Sequence, residues 1–278
     1  GLGDVYKRQP QELKKFSVIE YGVERNRHKM PLWGVEMKLD TFAVPFTADR
    51  RMAYAAAYLE QCSYRQVEEV QAADFVLLPV PAKDYMLEGL DGKTVFLGGG
   101  SYPGTLDYCK NENFAEKNGI LTAEGALWLA QNHLERALYR SRVLVCGYGR
   151  IGRVLSGLLL AHGADVTVCS RSALSKTQAL FTGARHTDFS GLVQPGDYDL
   201  VYNTVPHMIF TKRELQALRR DTVLVDLASF PGGVDTLMAH TLGITVVDGR
   251  NLPGRTAPET AGALIGETVA EMIEEGLE

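Results

Sequence analysis

The stretch VLVCGYGRIGRVLSGLLLAHGADVTVCSRS, residues 143–172, decides how the rest of the chain is read. It opens with an apolar run short enough for a buried strand, turns at a glycine and continues as a helical pattern over residues 150–162. A second apolar run closes it. Gly147, Gly149 and Gly152 stand in the spacing G-x-G-x-x-G at the strand-to-helix junction. The first glycine permits a tight turn, the second lets backbone approach a pyrophosphate, and the third allows helix and sheet to pack closely. The helix start that follows, through the backbone of Arg150, Ile151 and Gly152, aims amide donors at phosphate. Alone the spacing is weak; between two strands it points to a dinucleotide site.

Outward from this stretch the second half is a regular series. Strands are expected at residues 142–146, 165–169, 199–203, 222–227 and 244–247, with helices at 150–162, 173–181, 212–219 and 235–242 between them. That alternation predicts an α/β fold, a doubly wound parallel-sheet dinucleotide-binding domain over residues 139–256. A smaller α/β N-terminal domain, residues 10–138, is expected on the substrate side, with strands at 16–21, 74–80 and 94–97 and a helix at 48–62. A long helix at 122–139, with Thr122 as its N-cap, links the two. The last segment, residues 257–278, reads as a helix that crosses back onto the N-terminal domain. Residues 1–9, GLGDVYKRQ, read as a foreign or truncated leader, or else as a native flexible terminus; neither reading gives them chemistry.

Composition sets the bounds. The 278 residues carry 29 Lys and Arg against 34 Asp and Glu, a net charge of −5, which leaves no basic footprint for nucleic acid or an anionic membrane. No apolar run reaches transmembrane length. Cys62, Cys109, Cys146 and Cys169 are dispersed without C-x-x-C spacing, as expected of reduced thiols in a cytoplasmic protein and not of a metal site. A homo-oligomer stays open.

The residues past the glycine loop choose the cofactor. NAD sites carry a carboxylate at the end of the second strand, where it accepts hydrogen bonds from the adenosine ribose. Here that position holds Ser170, Arg171 and Ser172, with Lys176 a turn further on and no carboxylate among them. A guanidinium flanked by hydroxyls suits a 2′-phosphate, so NADP is the expected cofactor, with NAD as the alternative and a solvated loop arginine as the bland reading. Asn203, Thr204, Val205 and Pro206 end a later strand where such folds bind ligand, and are expected around the nicotinamide. His207 is a candidate general base, although a loop histidine is more often structural.

One strand later, Asp226 reads as a structural carboxylate bonded to nearby backbone. Ala228 and Ser229 reach the ligand edge, and Pro231, Gly232 and Gly233 force a turn. Arg255 and Thr256 are candidate donors to an anionic substrate, at the start of the last helix. Thr122 and Glu124 are candidates to line the cleft between domains. For these four, capping and loop-shaping are the competing reading; Glu124 in a first helical turn would favour the dipole. The glycine-rich residues 98–104 are expected to form a close-approach loop.

Together, TAEGA at 122–126, VLVCGYGRIG at 143–152, NTVP at 203–206, DLASFPGGVD at 226–235 and LPGRTAPETAG at 252–262 resemble the A subunits of dipicolinate synthase from spore-forming Firmicutes. The resemblance runs in order from about Asp74 to the C-terminus. It implies oxidation of dihydrodipicolinate, a small dicarboxylate, to pyridine-2,6-dicarboxylate during sporulation. It also implies a nicotinamide cofactor and, for a partner, a flavoprotein-like B subunit. Two departures stand out. Members open with a glycine-containing strand and helix not found here, so the N-terminal domain is expected to be incomplete. Members also commonly carry Lys where Glu259 stands, which puts an anion-binding role there in doubt. Two other readings compete: an NADP-dependent 2-oxo-acid, hydroxy-acid or shikimate-type dehydrogenase, and a non-catalytic dinucleotide-sensing subunit. The Arg–Glu–His set of the former is not recognisable, and the lack of an obvious acid/base pair keeps the latter open. No proton acceptor other than water can be named.

Overall fold

The computed structural model describes residues 39–100, 102–193 and 197–276, together with the backbone of residues 31–32 and 35–36. The expected strand at 16–21 and the leader at 1–9 lie outside the described residues. A short antiparallel ribbon, β1 (Pro31–Leu32) and β2 (Val35–Glu36), comes first.

A five-stranded sheet follows, formed by β3 (Thr41–Ala43), β4 (Arg65–Gln66), β5 (Phe75–Leu77), β6 (Thr94–Leu97) and β7 (Thr105–Asp107). Every pairing is parallel and the order is β4-β3-β5-β6-β7. Successive side chains leave a strand on opposite faces, so a sheet covered on both sides needs apolar residues at every position. Phe75 and Leu77 pack with Phe42, Phe96 and Tyr108 on one face, while Val76, Val95 and Leu97 meet Met86 and Leu90 on the other.

The first face is covered by α1 (Arg50–Gln61), through Met52, Ala55 and Leu59, and by the last helix, α8 (Pro258–Glu275), through Leu264, Ile265 and Val269. The terminal helix packs along α1 and shares the apolar core of the first sheet. Its contact with α1 is a close backbone approach: a Cβ on Gly262 would stand 2.3 Å from the Arg51 carbonyl oxygen, and one on Gly266 would stand 2.8 Å from that of Ala55.

The linking helix differs from expectation. Helix α2 runs over Glu112–Gln131, so it starts ten residues before Thr122 and stops eight before residue 139. Asn111 is its N-cap, accepting from the Phe114 amide at 2.9 Å. Thr122 sits buried in its interior, donating one turn back to the Asn118 carbonyl at 2.8 Å. Gly119 resembles a break in sequence. It lies inside α2 where that helix approaches the next, and an added Cβ would stand 3.4 Å from the Arg150 Cβ.

The second sheet has six strands, all parallel: β8 (Arg142–Cys146), β9 (Asp165–Cys169), β10 (Arg185–Thr187), β11 (Leu200–Asn203), β12 (Val223–Asp226) and β13 (Thr245–Asp248). Their order, β10-β9-β8-β11-β12-β13, is the doubly wound arrangement, with its switch point between β8 and β11. Strand β10 carries Arg, His and Thr and has no apolar signature, which is why sequence reading passes over it. Val143, Val145, Val166 and Val168 face α2 and α3 (Arg150–Ala161). Leu144, Cys146, Val201 and Leu224 face the opposite layer, with Leu215 of α5 (Lys212–Gln216) and Ala239 of α6 (Thr236–Leu242). Helix α4 (Ala173–Phe181) follows β9, and α7 (Leu252–Thr256) follows β13. All four cysteines are free thiols; Cys146 and Cys169 pair across β8 and β9, and burial pushes the Cys146 thiol well up. Among the described residues no helix is long and apolar enough to cross a membrane.

Candidate functional site

The carboxyl ends of β8, β9, β11 and β12 bring the predicted residues to one edge of the second sheet. Gly147 has φ +95°, a left-handed conformation that L side chains rarely adopt, and a Cβ there would fall 2.2 Å from Thr204 Oγ1. A Cβ on Gly152 would fall 2.2 Å from the Gly147 carbonyl oxygen, so the third glycine lets the first turn of α3 lie on the loop itself. Gly149 differs: nothing lies within 4 Å of the place its Cβ would take. It is the N-cap of α3 and has no side chain to satisfy the first amides of that helix. Open space beside uncapped helix amides fits the pyrophosphate of a dinucleotide.

Around this loop the predicted residues divide by what their side chains already hold. The Arg150 guanidinium is drawn to α2, with Nη2 2.5 Å from Glu112 Oε2 and Nε 3.2 Å from Glu116 Oε1, so its backbone is what it offers a ligand. Ile151 likewise packs its side chain against the core. The Asn203 side chain is fully engaged: Nδ2 donates to Asp226 Oδ1 at 2.8 Å and to the Val205 carbonyl at 3.2 Å, while Oδ1 accepts from the Val205 amide at 3.0 Å. The Thr204 hydroxyl donates to the Cys146 carbonyl at 2.9 Å. These two side chains brace the loop, and their donors are taken within the chain. Val205 is half-buried beside Gly147, and Pro206 is exposed.

Asp226 has the structural role expected of it. Besides Asn203 it accepts from the amides of Ala228 at 3.2 Å and Gly233 at 3.1 Å, which holds the turn after β12. Ala228 is buried and Ser229 exposed. His207 is exposed, and its imidazole takes no partner among the described residues; no carboxylate there orients it as a general base would need.

The expected substrate donors are placed elsewhere. Arg255 lies in the last turn of α7, not at the start of α8, and its Nη1 donates to the carbonyls of Asp248 at 2.9 Å and Arg250 at 3.2 Å. The Thr256 hydroxyl donates to the Leu252 carbonyl at 2.8 Å and sits over Gly125 of α2. Glu124 is exposed in the middle of α2, far from the first turn, which holds Glu112 instead. Thr122 is likewise bonded within its helix, so the donors of Thr122, Arg255 and Thr256 are all taken up by backbone carbonyls.

Beyond β9 the site opens into a cavity of about 540 Å³, lined by Ser170, Arg171, Ser172 and Lys176, as the sequence led one to expect, and by His186, Asp188 and Ser190, which it did not. Arg171 and Lys176 are exposed and their side chains take no partner among the described residues, while Ser172 caps α4 by accepting from the Ser175 amide. No carboxylate stands among Ser170, Arg171, Ser172 and Lys176, but one reaches the cavity from elsewhere in the chain. Asp188 enters from the end of β10, a neighbouring strand brought in by the fold. Its carboxylate is turned into its own loop, where Oδ1 accepts from Ser190 Oγ at 2.5 Å, Ser190 N at 3.0 Å and Gly191 N at 3.2 Å. The Ser190 hydroxyl, then the Gly191 amide, hold that carboxyl below the usual range.

Fold and loop define a dinucleotide-binding dehydrogenase architecture, and residues 111–229 match the family model described as D-isomer specific 2-hydroxyacid dehydrogenase, NAD binding domain. The chain is similar to one protein of that architecture in particular, the A subunit of dipicolinate synthase from Bacillus subtilis (strain 168). The two are 33% identical over 168 residues, covering 60% of this chain and 56% of that relative, so the match spans just over half of the relative's length. The crystal structure of the same synthase's A subunit from Bacillus halodurans superposes with a TM-score of 0.77 at 22% identity, over 84% of this chain and 97% of that one. Its counterpart from Bacillus subtilis gives 0.75 at 23% identity, over 86% and 97%. At such identities the superpositions speak for the fold: two parallel-sheet α/β units, the second of the Rossmann dehydrogenase kind.

Proposed function

We propose that this chain is an NADP-dependent oxidoreductase subunit that oxidises dihydrodipicolinate to pyridine-2,6-dicarboxylate in sporulation, working beside a flavoprotein-like B subunit. The cavity past β9 carries the cofactor half of this reading. Two cations without a partner among the described residues, Arg171 and Lys176, sit with Ser170 and Ser172 where the adenosine ribose lies in such folds. The 33% identity to the dipicolinate synthase relative supports the substrate half.

Bound NADP supplies the hydride acceptor. The chain supplies position. The Gly147–Gly152 loop and the α3 amides would hold the pyrophosphate, and the loops braced by Asn203, Thr204 and Asp226 would stand beside it at the same sheet edge. Oxidation of dihydrodipicolinate would pass a hydride from a ring carbon to that acceptor and release a proton, with aromatisation as driving force, so orientation would matter more than acid–base power.

The engaged side chains of Asn203, Thr204, Arg255 and Thr256 favour one other reading, a subunit that senses dinucleotide without turnover. Both are tested by supplying dihydrodipicolinate with NADP or NAD, with and without a B-subunit homologue, and following absorbance of the reduced cofactor. Cofactor binding without reduction under any of these conditions supports sensing and refutes the synthase.

A further inference from the structure

The cavity past β9 contains an interaction that the glycine loop does not call for. Ser170 is buried, and its Oγ lies 3.0 Å from His186 Nε2, across from β9 to β10. Both residues line the cavity, as do Arg171 and Lys176. A serine hydroxyl has one proton to give and two lone pairs. If His186 Nε2 is bare, Ser170 gives its proton to the ring and shows the cavity only lone pairs, which repel an anion. If Nε2 carries a proton, it donates to Ser170 Oγ and frees the hydroxyl proton to point into the cavity. A phosphate can use only the second arrangement. A ribose hydroxyl both donates and accepts, and can use either.

We propose that His186 is a positioning residue for the 2′-phosphate, holding Ser170 as a hydrogen-bond donor and so adding to the preference for NADP over NAD. This rests on the NADP reading above. Asp188, the one carboxylate lining this cavity among the described residues, stays charged with its Oδ1 held by Ser190 and Gly191, and the two cations Arg171 and Lys176 on the same lining offset it.

The test is titration of the full chain with NADP, NAD and adenosine 2′-monophosphate, beside melting temperatures. A charge-assisted hydrogen bond corresponds to roughly tenfold or more in affinity, so His186→Ala should weaken NADP and adenosine 2′-monophosphate by about that factor and leave NAD unmoved. Glutamine offers an amide donor near the position of Nε2, so His186→Gln should restore most of the loss. Ser170→Ala should cost as much as His186→Ala, and the double variant no more than either, because both remove the same bond. Three results would overturn the proposal: additive losses, equal weakening of NADP and NAD, or a preference for NADP that Arg171→Ala destroys and His186→Ala leaves whole. A parent that binds NAD as tightly as NADP would overturn the NADP reading itself, and this inference with it.

Discussion

Replacing Gly149 with valine separates binding from folding. Nothing lies within 4 Å of the added Cβ, and φ −82°, ψ −158° is extended backbone open to any residue. The folded chain therefore accommodates the side chain, losing only the small difference between glycine and valine as an N-cap, about 1 kcal/mol and a few degrees of melting temperature. The bound state does not accommodate it. The isopropyl group fills the space over the first amides of α3, where a pyrophosphate would come to within hydrogen-bond distance. Two charge-assisted bonds lost there are worth about 3–6 kcal/mol together, or roughly 10²–10⁴-fold in dissociation constant. Gly152→Ala provides the contrast, because its Cβ would meet the Gly147 carbonyl oxygen at 2.2 Å. That variant must shift the loop, and should lose stability and binding together. NADPH fluorescence titration and thermal melts of the three proteins decide the matter. Unchanged NADPH affinity in Gly149→Val would remove the glycine loop from the site.

Arg171→Ala should weaken NADP at least about tenfold and leave NAD unmoved, since the guanidinium holds nothing among the described residues; equal weakening of both would exclude a 2′-phosphate contact. Arg255→Leu should lower the melting temperature and leave the substrate KM alone, because its Nη1 is held by the Asp248 and Arg250 carbonyls; a raised KM at unchanged stability would restore it as a substrate anchor. Asp74 gives a pH signature. Burial pushes its carboxyl up, but hydrogen bonds from Thr41 Oγ1, Thr41 N and Asp40 N outweigh that and leave its pKa lowered. A depressed folded-state pKa stabilises above the unfolded value and loses its contribution as pH falls through the folded one. The melting temperature of Asp74→Asn should therefore lie below the parent's at neutral pH, and the gap should close as pH drops past the ordinary carboxylate range near ~4. A gap that is constant with pH would assign the effect to shape and not charge.

Features set by neighbours along the chain were legible before any fold was known. Strands β6, β8 and β9 and helix α4 have the bounds that their residues predict, because a strand buried on both faces must be apolar throughout and the turns beside it are local. The role of Gly152 could be read for the same reason, since the atom it admits is the Gly147 carbonyl oxygen of its own loop. The left-handed turn at Gly147 is local too, although the Thr204 side chain it makes room for comes from a strand end distant in sequence. Which donors and acceptors remain free depended instead on contacts distant in sequence. Asn203 and Thr204 stand where a ligand binds, yet their bonds go to Asp226, Val205 and Cys146, and Asp226 and Cys146 lie 23 and 58 residues away in the chain. Arg255 was the best-placed cation in sequence and is held by two carbonyls in space. In the other direction, β10 is too short and polar to announce itself, yet it delivers His186 and Asp188 to the cavity beside Arg171. Pattern and propensity report which way a side chain faces; whether its hydrogen bonds are already satisfied depends on partners that only the folded chain brings within roughly 3 Å of it.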